Sequence, residues 1–319
     1  EVRGPAVVVA VLGVALPFAL GFALIWATGR SNVESAFVAT AMVATSVGIT
    51  ARVLSDIGAL RTREARIILG AAVVDDILAL VLLSIVSGFG EEHFDALEVS
   101  LTALAAVGFV VFAALVGTRV IQQYSIHLER LQVRNAPFLV AIVLMLGLSA
   151  LAGIIGLAAI IGAFLAGLML AEARERYKLE QQALPVYEFL VPFFFVVIGT
   201  KVDLSAFKDA DILAIAVGVT ALAAAGKLLG GGLAAAGLPV RSAAIVGTGM
   251  IPRGEVGLVA ASIGAGIGAI SSDMFSVVVF MSIATTLFAP PALAWLYRGY
   301  PLKAAPPAAP EPEMRLPEL

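Results

Sequence analysis

The sequence predicts an all-α, polytopic membrane protein of about ten transmembrane helices, built on inverted repeats with two broken helices that cross. Composition is the first observation behind this reading. Of 319 residues, 61% are hydrophobic and 13% charged, with a mean hydropathy of +1.03, whereas an ordinary soluble domain carries about 25% charged residues. A chain this apolar has no surface to offer water, and a bilayer supplies the missing solvent. The second observation is the supply of stretches of roughly 20 apolar residues, the length needed to span a bilayer. No barrel-type alternation runs through them, and lipid leaves helices as the other way to satisfy the backbone. The third is that two spans are interrupted in their middles, at corresponding places in the two ends of the chain.

The expected spans are 5–29, 33–54, 65–90, 97–118, 136–152, 154–171, 185–200, 210–236, 242–268 and 273–297. The first begins almost at Glu1, with no initiator methionine and no cleavable signal pattern, so further upstream sequence is expected. The second contains TSVGIT, Thr45 to Thr50, and the ninth contains GMIPRGEVG, Gly249 to Gly257. Both place glycine, proline or hydroxyls at mid-membrane, and Pro252 deletes a backbone hydrogen bond. A kinked but continuous helix is the simpler reading of either alone. Two of them, central to spans 1–3 and 8–10, fit inverted repeats flanking an ion site. Their middles are therefore expected to be non-helical and to cross near Asp76. Small residues such as Gly162, Ala166 and Gly167 in the sixth span are ordinary close-packing positions between membrane helices. The last residues, 299–319, are rich in Pro, Ala and Glu from Ala304 onward and read as a disordered tail.

Loop charges set the orientation. Taking alternate connections, one side carries Arg3, Arg61, Arg63, Arg66, Arg119, Arg130, Arg134, Arg174, Arg176, Lys178, Arg241, Arg298 and Lys303, thirteen in all. The other carries Arg30, Lys201 and Lys208, with the acidic loop Glu91, Glu92, Asp95 and Glu98. The basic side is cytoplasmic, which puts both ends of the chain there. The basic residues form no stripe or recognition motif, so nucleic-acid binding is excluded. The chain has no cysteine, hence neither disulfides nor thiolate metal sites.

Ionisable groups within the hydrocarbon cost about 2.5 to 3.5 kcal/mol each on insertion scales, so each needs a reason. Asp75 and Asp76 sit in GAAVVDDILALVLL, too far from a helix end to snorkel. Neighbours on a helix point about 100° apart, so one can meet a cation while the other meets a counter-charge. Lys227, in ALAAAGKLLGGGLAA, is a buried ammonium in want of a carboxylate, unless its stem snorkels from a span ending near Gly230. Arg253 and Glu255 in the ninth span are expected to neutralise helix ends or one another, and Arg52 to snorkel towards the loop that holds Arg61.

Four segments, ATSVGITARVL (44–54), ILGAAVVDDILAL (68–80), GKLLGGG (226–232) and GMIPRGEVGL (249–258), occur in an order and at separations that resemble the NapA type of bacterial sodium/proton antiporter, within the monovalent cation:proton antiporter superfamily. The resemblance covers nearly the whole chain. It implies that Asp76 is the main ion-binding carboxylate, that Asp75 pairs with Lys227, and that Thr45 is a polar group near the crossing; Ser46, Thr50, Arg253 and Glu255, in the two interrupted stretches, are expected to support the site. It also implies a core made of 1–90 and 206–298 that moves against scaffold helices in 91–205, a homodimer joined through that scaffold, and a place in the bacterial cytoplasmic membrane. The family usually has about three more helices before the one that begins here. Those helices belong largely to the scaffold.

Sodium or lithium is a hard cation that wants oxygen ligands, and an ionised Asp76 with hydroxyls, freed carbonyls and water supplies them. The protonated carboxylate does not, so Na+ and H+ displace one another on one site. A proton released from Lys227 would make the exchange electrogenic. No cofactor and no enzymatic chemistry is expected. An intramembrane aspartyl protease needs two carboxyls facing one another from different helices, whereas these two are adjacent in one helix. A sodium-coupled solute symporter on a related fold would call for a cavity of solute size. Exchange of K+ is the nearer alternative. A channel fits least, since no segment resembles a carbonyl-lined filter.

Overall fold

In a computed structural model of the protein, the structure describes residues 3–88, 135–155, 157, 159–171, 177–234 and 238–300, together with 104, 108, 109, 111, 112 and 119. The expected fourth span (97–118) lies largely outside the described residues, and the acidic loop, Arg130, Arg134, Arg174, Arg176 and the tail beyond Tyr300 lie wholly outside them. Among the described residues there are eleven α-helices and no strands.

The first is α1, Arg3–Ala27, apolar throughout and carrying Pro17. The expected second span is two half-helices, α2 (Asn32–Ala41) and α3 (Val47–Asp56), separated by a stretch in which Ser46 is extended. Ser31 starts α2 by accepting a hydrogen bond from the Glu34 amide at 3.1 Å. The third span is the uninterrupted α4, Arg63–Gly88. Then come α5 (Ala136–Ile154), the short α6 (Ala159–Met169) and α7 (Leu179–Thr200), which begins six residues earlier than the sequence suggests. A 3-10 turn, Leu204–Lys208, leads into α8, Ala210–Ala234. The ninth span is again split, into α9 (Val240–Gly249) and α10 (Glu255–Gly266), and α11, Ser272–Leu296, closes the set. Six of these helices are long and apolar enough to cross a membrane uninterrupted. The count falls short of ten for local reasons. Two spans are built from half-helices, α6 has only 11 residues, and one expected span lies largely outside the described residues.

A long helix, a broken helix and a long helix therefore occur twice, as α1 to α4 and as α8 to α11. The two triplets run in opposite directions. Along α1, Leu12, Gly13, Pro17 and Leu24 meet Gly230, Lys227, Gly226 and Gly218 of α8 in reverse order. The glycines of GKLLGGG make this close approach possible. A Cβ at Gly230 would come within 2.8 Å of the Leu12 carbonyl oxygen, and one at Gly231 within 2.8 Å of the Gly247 Cα on α9. The two breaks also pass antiparallel, with Ala41, Ser46 and Thr50 facing Gly257, Gly254 and Gly249.

Apolar packing lies on both sides of this crossing. One cluster gathers Ile25, Phe37, Met42, Leu83, Leu258 and Phe275. The other gathers Ala10, Leu54, Ile67, Ile245, Met250 and Leu293. Polar ties join the triplets at each end. Glu34 of α2 accepts from the amide and hydroxyl of Ser271, the N-cap of α11, at 3.0 and 2.6 Å. At the opposite end Glu64 of α4 accepts from the Tyr300 hydroxyl at 2.7 Å, and that hydroxyl also lies 3.0 Å from Ser242 of α9. Helices α5 and α7 present most of their apolar surface outward.

Candidate ion site

The site is built where the two breaks meet α4 and α8. Backbone polar groups released by a helix break must find partners inside the membrane, and here each break serves the other. The Ser46 amide donates to the Pro252 carbonyl at 2.8 Å. Thr45 Oγ1 donates to the Met250 carbonyl at 3.1 Å and Thr50 Oγ1 to that of Gly249 at 2.8 Å. All three first-repeat residues are buried. Proline at 252 leaves the Thr248 carbonyl without its helical donor, and the Ile251 amide takes that role at 3.1 Å.

On α4, Asp75 and Asp76 point to different partners. Asp75 Oδ1 accepts from Lys227 Nζ at 2.5 Å, with both side chains fully buried. Gly13 of α1 lies over this pair, for a Cβ there would stand 3.5 Å from Nζ. Lys227 thus ends in a carboxylate and does not snorkel. The second oxygen of Asp75 has no hydrogen-bond partner. Asp76 is 9% exposed, and its Oδ1 is buried with no hydrogen-bond partner. Ala79, three residues on and so on the same face of α4, packs with Val43, Ala44 and Val256 at the two breaks, which sets the Asp76 face towards the crossing.

Arg253 and Glu255 form no ion pair with one another. Arg253 is fully buried and donates to carbonyls at the C-terminal end of α9. Glu255 is the first residue of α10, where a negative charge suits the positive end of the helix dipole. Each therefore attends to a helix end. Arg52 is exposed and takes part in a pair with Asp56 at 3.8 Å, so it balances no charge at the crossing. Ser46 lies against Gly254, where a Cβ would come within 2.7 Å of its own. Among the described residues no three His, Cys, Asp or Glu side chains gather as a metal-binding cluster.

A cavity of about 790 Å³ lies between α3, α7, α10 and α11, with Ser46, Arg52, Tyr187, Glu255, Ser282 and Thr286 among its lining residues. It is large enough for an organic solute, but its wall is mostly apolar and excludes Asp75, Asp76 and Lys227. Sequence reasoning missed Glu34 and Glu64, both buried. The only signal was Ser31-x-x-Glu34, which reads as a local capping box, whereas the Glu34 carboxylate reaches 237 residues along the chain to Ser271.

A paired Asp-Lys and a carboxylate oxygen free for a ligand, at the crossing of two broken helices, suit a monovalent cation that competes with a proton. The family profile described as sodium/hydrogen exchanger, transmembrane, matches residues 1–299. The chain belongs to the sodium/hydrogen exchanger family. A high-affinity Na+/H+ antiporter of Synechocystis is 40% identical over 95% of this chain and 67% of its own length. A Na+/H+-K+ antiporter of Bacillus cereus is 32% identical over 92% of the chain and 76% of its own. A Na+/H+ antiporter of Enterococcus hirae is 33% identical over 90% of the chain and 75% of its own. Membership makes this exchanger a multi-pass membrane transporter.

Proposed function

We propose that this exchanger moves Na+ or Li+ against protons by alternating access, with Asp76 as the carboxylate on which cation and proton compete. The observation that carries the assignment is the buried Asp76 oxygen without a protein partner, beside a neighbour that already has one. An ionised Asp76 attracts a hard cation, and Thr45 with water can complete the oxygen shell. A protonated Asp76 is neutral and releases it. Lys227 is the second proton carrier. When the cation binds, Asp75 turns towards it, the ammonium loses its partner, and burial then disfavours the charged form. Two protons for one sodium would make transport electrogenic.

The division into a moving core, 1–90 with 206–298, and a scaffold, 91–205, is supported by packing. The two triplets embrace one another, while α5 and α7 turn most of their apolar surface outward. Those faces suit lipid and a second copy of the chain, hence a homodimer. The loop charges favour the bacterial cytoplasmic membrane with the C-terminal end inside. Potassium exchange is the second reading, favoured by the relative named a Na+/H+-K+ antiporter. Proteoliposomes with an imposed proton gradient, challenged in turn with Na+, Li+ and K+ while internal pH is followed, test both. Sodium- or lithium-driven proton movement supports the proposal. A response to K+ alone supports the second reading, and no response to any cation sinks both.

A further inference from the structure

Arg253 heads the fully buried side chains by volume, yet among the described residues it makes no ion pair. A buried guanidinium without a carboxylate must be held by oxygen dipoles, and three carbonyls hold this one. Nη1 donates to Met250 and Ile251, both at 3.2 Å, and Nη2 to Ala223 at 2.9 Å. Met250 and Ile251 follow directly on α9, where the helix dipole is negative. Ala223 belongs to α8 and precedes Lys227 by four residues, about one turn, so it lies on the same face. The backbone of Arg253 is tied to α11. Its amide donates to Thr285 Oγ1 at 3.3 Å and its carbonyl accepts from Thr286 Oγ1 at 2.7 Å. Arg253 thus hydrogen-bonds to the end of α9, to α8 and to α11, three elements that pack against one another.

We propose that Arg253 is a positioning residue whose guanidinium fork locks the carbonyl end of α9 to α8 one turn from Lys227. It thereby fixes the break against the Asp75–Lys227 pair and supplies a permanent positive charge beside that pair. The proposal rests on the reading of Asp76 as the ion site. A fork is needed because its donors must reach carbonyls on two helices at once, which a single ammonium does poorly. The charged groups around Arg253 are Asp75 on α4, Lys227 on α8, Glu255 on α10 and Arg52 on α3, and Lys227 in turn faces Asp76. From α11 it meets hydroxyls only. Two buried cations therefore face two buried carboxylates, and the arginine is the member that keeps its charge throughout the cycle.

R253K and R253Q, purified as full chains and reconstituted, separate the fork from the charge. Exchange is measured across a pH series and a Na+ series, with melting temperature alongside. R253K keeps the charge and loses the fork, so its rate falls about tenfold while its pH profile stays where the wild type has it. R253Q loses both, so its rate falls further and its profile moves to higher pH, because neighbouring groups hold their protons longer without the fixed charge. Wild-type rates in both variants would overturn the proposal. So would an R253Q that is merely less stable, with wild-type turnover per folded molecule and an unmoved profile. If R253Q yields no folded protein, R253K decides, since a wild-type rate there removes the need for the fork. D76N in the same vesicles tests the underlying reading separately, because exchange that persists in D76N refutes the site and leaves the R253K profile to be judged on its own.

Discussion

Asp75 and Asp76 show how two adjacent, identical side chains are given different work by the helices they face. Asp75 is committed to Lys227 at 2.5 Å, and Asp76 keeps an oxygen without a partner. If one group binds cation and proton in turn, protons act as simple competitors. The apparent KM for Na+ then rises by about tenfold per pH unit on the acid side of the profile. Asp76→Asn keeps the shape and removes both ligands at once, so it is expected to yield a folded protein with no cation-driven proton movement. Exchange at the wild-type rate in that variant would move the site elsewhere. Lys227→Gln leaves Asp75 buried without its counter-charge, which costs about 3 to 5 kcal/mol, and a lower melting temperature should show it. The same change should reduce or abolish the charge moved per cycle. Solid-supported membrane currents equal to wild type in size and ion dependence would rule Lys227 out as a proton carrier.

The half-helices matter at the next scale, because each break is held by the other and both by ties at their far ends. The tie of Glu64 to Tyr300 and Ser242 lies at the ends of α4 and α9 and is open to a direct test. Burial pushes the Tyr300 phenol above its usual range, so it stays a hydrogen-bond donor throughout the neutral range. Tyr300→Phe removes that donor from a buried carboxylate, and the expected loss is about 1 to 3 kcal/mol, read as a lower melting temperature. An unchanged melting temperature would show that Glu64 finds another donor. Much at this scale was legible in the sequence. Pro252 and the TSVGIT run announced two breaks because deleted or diverted backbone hydrogen bonds have no substitute in lipid. The interior charges were conspicuous against apolar neighbours. What could not be read were partners set by tertiary approach: Glu34 with Ser271, and Arg253 with Ala223, 30 residues away. The start of α7 lies six residues before the apolar run that marked it, because its first turns carry the polar Glu180 and Gln182.

For the whole molecule, the antiparallel seam of α1 and α8 and the mutual capping of the breaks bind the two triplets into one body, so alternating access should move that body without deforming it. The helices α5 to α7 are attached differently. Contact with the core includes two apolar clusters: in one, Leu80 and Val256 of the core share packing with Ile161 and Leu165 of α6, and in the other Ile198 of α7 packs among core residues such as Leu83 and Leu258. Contacts made only of apolar groups can be broken and remade without stranding a hydrogen bond, which suits a sliding surface, whereas the seam is interlocked by glycines packed against backbone. The chain contains no cysteine, so introduced pairs report without background. Leu24→Cys with Gly218→Cys lies within the seam, where a Cβ at 218 would be 3.3 Å from the Leu24 side chain. Cross-linking this pair with a short thiol reagent is expected to leave exchange largely intact. Leu80→Cys with Ile161→Cys joins core to α6, and cross-linking it should stop exchange and be undone by a reductant when the link is a disulfide. If the seam pair blocks transport and the α6 pair does not, the moving boundary runs between the repeats, and the core cannot be the unit that carries the ion.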